Sequence, residues 1–345
     1  MSYKVLVDDN FHYTERNFAD ILESLKYLVK GHMSHQSMQA VSNNSSHSSS
    51  SISLWGCQKR FVNVLGRKMA YIERGEGHPI VFIHGNPTSS FLWRNVLPHV
   101  ERSGRRLIAP DLIGMGDSDK IPAGAESDRY RFVSQARYLE AFINEVVGTG
   151  PVTLVLHDWG GALGFDWAYR HKERVRAIAY METFVTPLTL SDLPESFHPT
   201  LKAVRSSEGE SLVLDENMFI EQMLPGVTQR TPTEEEMTEY RRPFLEPGDG
   251  RWPTLQWPRE VPLSGDPADV HQRIADYSAW LQVVSLPKLF IDAEPGVFIT
   301  GRVRKLACSF PNQQYVLVKG LHFIQEDSPN EIGQAINNWL EQGQS

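Results

Sequence analysis

VTLVLHDWGGALGFDWAYR, residues 152 to 170, reads as three successive local structures. VTLVL is a short apolar, β-branched run of the kind that forms a buried strand. HDWGG has the composition of a sharp turn, and an amphipathic helix is predicted to begin near Ala162. Strand, tight turn and helix in that order form the local context in which a nucleophile is presented at the tip of an elbow. Here the tip residue is Asp158 rather than serine, and Leu156 occupies the place of the first glycine in G-x-S-x-G. Gly160 and Gly161 let the helix backbone pass close beneath the turn. A carboxylate at such a tip is ionised near neutral pH and attacks carbon without a base, leaving an ester. The plainer reading, an Asp capping a helix, accounts for the stretch only in isolation.

Outward from the elbow the pattern is regular. KRFVNVLGRKMAYIERG alternates across Gly66 and predicts an antiparallel hairpin. PIVFIHGNP is a buried strand entering a turn, and RLIAPDLIGMGDSD a second strand followed by a glycine-rich loop. A helix is predicted over Ser134 to Val147. VRAIAYMET, PKLFIDAEPG and YVLVKGLHF are three further strands after the elbow. Strands alternating with helices predict an α/β protein whose mostly parallel sheet is covered on both faces. Residues 186–262 break the alternation, being rich in Pro, Trp, Phe and Met with helical pieces such as ESLVLDENMFIEQML. They are predicted to form an inserted helical lid over the strand ends, where open α/β sheets bind ligands. The main domain is then 56–185 with 263–345. Residues 1–55 form an N-terminal extension, with a helix over Thr14 to Lys30 and a Ser-rich linker of disordered composition; no chemistry is assigned to its histidines.

Composition narrows the function. The 345 residues carry a net charge of −8, which argues against nucleic acid or an anionic membrane as partner. Two cysteines, Cys57 and Cys308, supply no disulfide framework and fit a reducing, cytoplasmic compartment. No apolar run approaches the roughly 20 residues of a membrane span, and MSYKVLVDDNFHY has neither signal- nor transit-peptide character. No cysteine–histidine spacing suggests a metal site, and no phosphate-cradling glycine pattern is present.

An Asp158 ester must be hydrolysed, which calls for a base that activates water. His322, in KGLHFIQEDSP after the last strand, follows nucleophile and acid in chain order. Its orienting carboxylate is sought at two strand ends: Glu182 in AYMET, or Asp292 and Glu294 in IDAEPG. Glu182 is favoured, because an acid closing a buried run needs a partner, whereas the other two sit on a Pro-Gly turn open to solvent. The backbone N–H groups of Asn86, in HGNP, and Trp159 are placed to form an oxyanion hole. The Asn86 amide and Trp159 indole are neutral donors suited to holding and releasing a small anion such as halide. Asp111 and Ser118, in DLIGMGDSD, are read as turn stabilisers.

HGNPTSSFLWR, DLIGMGDSDK, LHDWGGALGFDWA, RVRAIAYMET, WPREVPLSGDPADV and GLHFIQEDSPNEIG together resemble the haloalkane dehalogenases of the α/β-hydrolase superfamily. The resemblance runs from about Phe61 to the C-terminus and is strongest to the branch of the lindane-degrading tetrachlorocyclohexadiene hydrolase. It implies an α/β-hydrolase fold with an eight-stranded sheet, and hydrolysis of carbon–halogen bonds to alcohol, halide and a proton without a cofactor. By that resemblance Asp158 is the nucleophile, His322 the base, Glu182 its partner, and Asn86 with Trp159 the halide-binding pair. Leu193, Leu201, Phe219, Val227, Trp257, Pro258, Val261 and Phe298 are implied to line an apolar substrate pocket. The expected partners are a small halogenated aliphatic, water and halide, with the chain a monomer or weak homo-oligomer. Coelenterazine luciferases of the sea-pansy type are similar over the same span and share the five residue types. An epoxide hydrolase would need lid tyrosines, of which Tyr240 is the obvious candidate; a silent small-molecule receptor would not need all five residues.

Overall fold

A computed structural model describes residues 58–102 and 104–343, which lie within one compact unit. The expected N-terminal helix and linker lie outside the described residues. Eight strands form one sheet: β1 (Arg60–Val64), β2 (Arg67–Gly75), β3 (His78–Ile83), β4 (Arg105–Pro110), β5 (Val152–His157), β6 (Val175–Thr183), β7 (Lys288–Pro295) and β8 (Gln313–Gly320). Their spatial order is β1-β2-β4-β3-β5-β6-β7-β8. The β1–β2 and β2–β4 pairings are antiparallel and all others parallel. The first hairpin turns on Leu65 and Gly66, with φ of 52° and 80°. Two successive positive φ values give the mirror-image turn that matches strand twist.

Every residue of β5 is buried, as a parallel strand covered by helices on both faces requires. Two large apolar clusters lie on the two sides of the sheet. One includes Val81, Ile83, Leu154 and Leu156; the other Ile80, Phe82 and Val155, so alternate residues of β3 and β5 serve opposite layers. Helices of seven residues or more are α1 (Phe132–Val146), α2 (Asp158–Arg170), α3 (His198–Val204), α4 (Glu234–Arg241), α5 (Trp252–Arg259), α6 (Ala268–Leu281), α7 (Gly301–Ala307) and α8 (Pro329–Gln342). Helix α1 starts two residues earlier than the apolar spacing predicts.

Helix α2 starts at Asp158 itself, not near Ala162. The reversal is made by one residue, Asp158, at φ 49°, so Trp159, Gly160 and Gly161 already belong to the helix. The glycines serve packing: a Cβ on Gly160 would collide with the carbonyl oxygens of Ile83 and His84, and one on Gly161 with the Thr183 hydroxyl.

Between β6 and α6, residues 186–262 contain only short helices and turns among the described residues. The ESLVLDENMFIEQML stretch is not one helix. Asn217, at φ 55°, separates two π-helical turns, Ser211–Asp215 and Phe219–Met223. Val204, Val213, Met218 and Leu255 form a small core inside this segment, while Leu193, Val227, Trp257 and Val261 belong to the larger core against the sheet. No helix among the described residues is long and apolar enough to cross a membrane.

Candidate active site

The C-terminal ends of four parallel strands converge on the site around Asp158. Asn86 follows β3, Asp158 follows β5, Glu182 stands near the end of β6 and His322 follows β8. All four, and Trp159, are buried. Asp158 (φ 49°) and Glu182 (φ 38°) are both non-glycine residues in the left-handed region. Such conformations persist where surrounding contacts enforce them, and they concentrate at functional sites. The Thr183 hydroxyl supplies part of that enforcement, donating to the Asp158 carbonyl at 2.6 Å.

The Asp158 carboxylate is held asymmetrically. Oδ2 accepts the Asn86 backbone N–H at 2.7 Å, while Oδ1 lies 3.6 Å from His322 Nε2, an ionic contact longer than a hydrogen bond. A Cβ on Gly85 would collide with Asp158 Oδ2 and the Trp159 nitrogen, so glycine is required for this approach. Burial acts to raise the Asp158 pKa, but His322, His157 and the Trp159 backbone N–H together hold it below the ordinary carboxylate value. Its place at the N-terminus of α2 adds the favourable end of the helix dipole.

His322 Nδ1 lies 3.3 Å from Glu182 Oε2. Glu182 in turn accepts the backbone N–H groups of Val297 and Phe298 at 3.0 Å and of Ile299 at 3.3 Å. Burial acts to lower the His322 pKa, yet the adjoining Asp158 and Glu182 carboxylates lift it to about 9. His157 packs on the His322 ring, centroids 4.8 Å apart, and its Nε2 is 2.8 Å from the His322 carbonyl. A carbonyl only accepts, so this nitrogen carries the proton. Burial first, and the neighbouring His322 second, lower the His157 pKa to about 3, keeping it neutral.

Asp292 departs from its sequence reading. It is fully buried rather than solvated, paired with Arg304 and accepting the Tyr315 hydroxyl at 2.7 Å. Glu294 is exposed. Neither makes the carboxylate contact to His322 that Glu182 makes. Asp111 accepts the backbone N–H groups of Ser90 and Asp117, each at 2.8 Å, and pairs with Lys59; Ser118 bridges the Asp111 carbonyl and the Ala70 N–H. Both therefore organise turns.

Beside the carboxylate lies a cavity of about 100 Å³. A buried water needs ~10–15 Å³ by this measure, so a small organic molecule fits. Asn86, Asp158, Trp159 and His322 are among its walls, and most of the rest is apolar. The Asn86 side-chain nitrogen is 3.4 Å from the Thr254 carbonyl, and the amide has a second hydrogen to offer. The Trp159 indole stacks on Trp257, 4.9 Å away, and meets the tilted ring of Phe184 at 4.5 Å.

A family model for the alpha/beta hydrolase fold matches residues 78–329. A haloalkane dehalogenase of Sphingobium indicum is 54% identical over 280 residues, spanning 81% of this chain and 94% of that protein. The crystal structure of a haloalkane dehalogenase from Bradyrhizobium elkani superposes with a TM-score of 0.78 at 38% identity, covering 83% of this chain and 98% of that one. The chain belongs to the haloalkane dehalogenase family of α/β hydrolases. A coelenterazine h 2-monooxygenase of Renilla reniformis is also similar, 39% identical over 83% of this chain and 92% of that protein.

Among the residues implied to line a dehalogenase pocket, Leu193, Leu201, Phe219, Val227, Pro258, Val261 and Phe298 do face the cavity. Trp257 does not. It is fully buried and stacked on Trp159. Sequence reasoning missed Phe184, Leu188, Phe197, Thr200, Val204, Met223, Val297 and Phe323, which also line it. Phe184, Val297 and Phe323 adjoin recognised motifs, a signal that was available; the others depend on how residues 186–262 fold. Tyr240 is not a wall of the cavity, since its hydroxyl donates to Glu326.

Proposed function

We infer that this chain hydrolyses carbon–halogen bonds of small halogenated aliphatics, with residues 186–262 as a lid over the site. The observation that carries the reading is a buried, ionised Asp158 held on one oxygen by the Asn86 N–H and facing an apolar cavity. Oδ1 of Asp158 attacks the halogen-bearing sp3 carbon in line; the new C–O bond forms as the carbon–halogen bond breaks with its electron pair. The side-chain amide of Asn86 and the indole N–H of Trp159 receive the departing halide. An apolar wall raises the strength of those neutral donors toward the anion by excluding water.

Esterification switches the base on. While Asp158 is an anion it keeps His322 protonated up to about pH 9. Once Asp158 is an ester that charge is gone, the His322 pKa falls, and a neutral imidazole becomes available. His322 then takes a proton from water as the water attacks the ester carbonyl, and Glu182 stabilises the imidazolium. The carbonyl oxygen is the former Oδ2, so the oxyanion develops where the Asn86 N–H already sits. As the tetrahedral intermediate collapses, the bond from Cγ to the alkyl-bearing oxygen breaks and the imidazolium returns its proton to that oxygen, releasing alcohol; the carboxyl group left behind ionises and its proton passes to solvent.

Asp158→Ala is expected to abolish halide release from brominated and chlorinated alkanes. His322→Ala is expected to release one equivalent of halide and stop at the ester, visible as a mass increment on the intact protein. Halide cycling in Asp158→Ala would overturn the scheme. The Renilla relative makes light emission with coelenterazine the test of the second reading. An epoxide hydrolase reading is disfavoured, because the cavity walls include no tyrosine among the described residues. A cytoplasmic location fits two cysteines in 345 residues. The oligomeric state proposed is monomer or weak homo-oligomer, readable by sedimentation.

A further inference from the structure

The main chain of His322 is suspended between two parts of the fold. Its carbonyl is held from below by His157, at the end of β5. Its N–H, together with that of Phe323, donates to the Val227 carbonyl in the lid, at 3.0 and 3.3 Å. Val227 is also a wall of the cavity. Thus the place of the imidazole depends on where the lid segment 227–230 sits relative to the loop 321–327.

That relative position is set by two side chains. Asp327 Oδ1 accepts the backbone N–H groups of Gln229, at 2.8 Å, and Arg230, at 3.2 Å, while Oδ2 accepts the Leu321 N–H of its own loop at 3.1 Å. Arg230 reaches back across the same seam. Its Nε donates to the Glu326 carbonyl at 2.5 Å, and its guanidinium pairs with the Glu326 carboxylate and with Glu236 of the lid. Arg94 pairs with the same two carboxylates, and Tyr240 donates to Glu326. Two guanidinium groups and two carboxylates are therefore gathered at a largely buried seam. Burying ions in this way returns little net stability against a well-packed apolar alternative, and a fixed geometry at the seam is the function left for it.

We propose that Arg230 and Asp327 are positioning residues that clamp the lid to the His322 loop and so serve the ester-hydrolysis half-reaction. The inference rests on the two-stage reaction proposed above. It separates the two stages, because none of Asp158, Asn86 and Trp159 is hydrogen-bonded to the 227–230 segment among the described contacts. Loss of the clamp displaces the base while the alkylation machinery stays in register.

The test is rapid-quench measurement of both steps on the full chain with n-butyl bromide at saturation. Arg230→Met keeps the apolar stem and removes the fork; Asp327→Asn keeps the shape and weakens the acceptor. Arg230 is one-third exposed, so its removal leaves a site that water can fill. Since a displacement of about 1 Å costs up to ~100-fold, the ester-hydrolysis rate constant is expected to fall about tenfold or more in a folded variant. The halide burst should stay within about twofold of the parent, with alkyl-enzyme accumulating in intact-mass spectra. A thermal melt of each variant shows which is folded. Equal slowing of both steps, or no slowing of either, would overturn the clamp. Absence of an Asp158-dependent burst in the parent would remove the reaction itself, and the clamp's role with it.

Discussion

Asp158 and His322 set each other's charge, and this coupling is the central chemical feature of the site. Burial disfavours charge on both groups; His322, His157 and the Trp159 N–H outweigh it for Asp158, and Asp158 with Glu182 outweighs it for His322. Asp158→Asn imitates the uncharged ester without permitting turnover. It is therefore expected to bring the His322 pKa below the parent's value of about 9, with Glu182 as the remaining anionic partner. Titration of the imidazole by NMR checks this, and an unchanged pKa would mean that Asp158 does not control the base. The sign of the kinetic consequence follows. Only neutral His322 accepts the proton, so ester hydrolysis should accelerate with rising pH and level off at a midpoint below about 9.

At the scale of the element, the elbow works because a strand, a one-residue reversal and a helix are packed closer than ordinary side chains allow. Gly161 faces the Thr183 side chain, and the Thr183 hydroxyl holds the Asp158 carbonyl. Gly161→Ala must push that hydroxyl aside, and is expected to lower stability by ~1–3 kcal/mol and halide release with it. Gly250, whose Cβ direction is open, is the control; Gly250→Ala should stay within about 0.5 kcal/mol of the parent. Urea unfolding of the two variants provides the comparison. Equal stability of both would show that the close approach is relieved by an inexpensive shift of Thr183.

At the scale of the molecule, parallel strand ends and residues 186–262 come together around the cavity that holds Asp158 and His322, so the site's ionisation is linked to folding. The His322 pKa is raised in the folded chain, from the ordinary 6.5 to about 9. Stability from this group is therefore fully present below pH 6.5 and lost as pH rises through about 9. Chemical denaturation across that window should show the parent losing stability with pH, and His322→Gln losing less. Parallel curves would place the linkage on other groups.

Much of this was legible in the sequence because it is locally encoded. Apolar runs between turns marked the strands, the HDWGG turn marked the elbow, and chain order with the resemblance pointed to Asp158, Glu182, His322, Asn86 and Trp159. What the sequence could not convey depends on groups that meet only after folding. Asp292 looked solvated on its Pro-Gly turn, yet Arg304 and Tyr315 arrive from later elements to bury and pair it. Trp257 was implied to line the pocket but stacks on Trp159, since the direction its helix faces is decided by what it lands on. Asp327 lies within the recognised GLHFIQEDSP stretch, but nothing local marks its partners or those of the Val227 carbonyl, since their contacts join distant parts of the chain. Periodicity and turn chemistry act over a few residues and were decided before folding; the ionisation of the site and the seat of its base were decided by contacts across the fold.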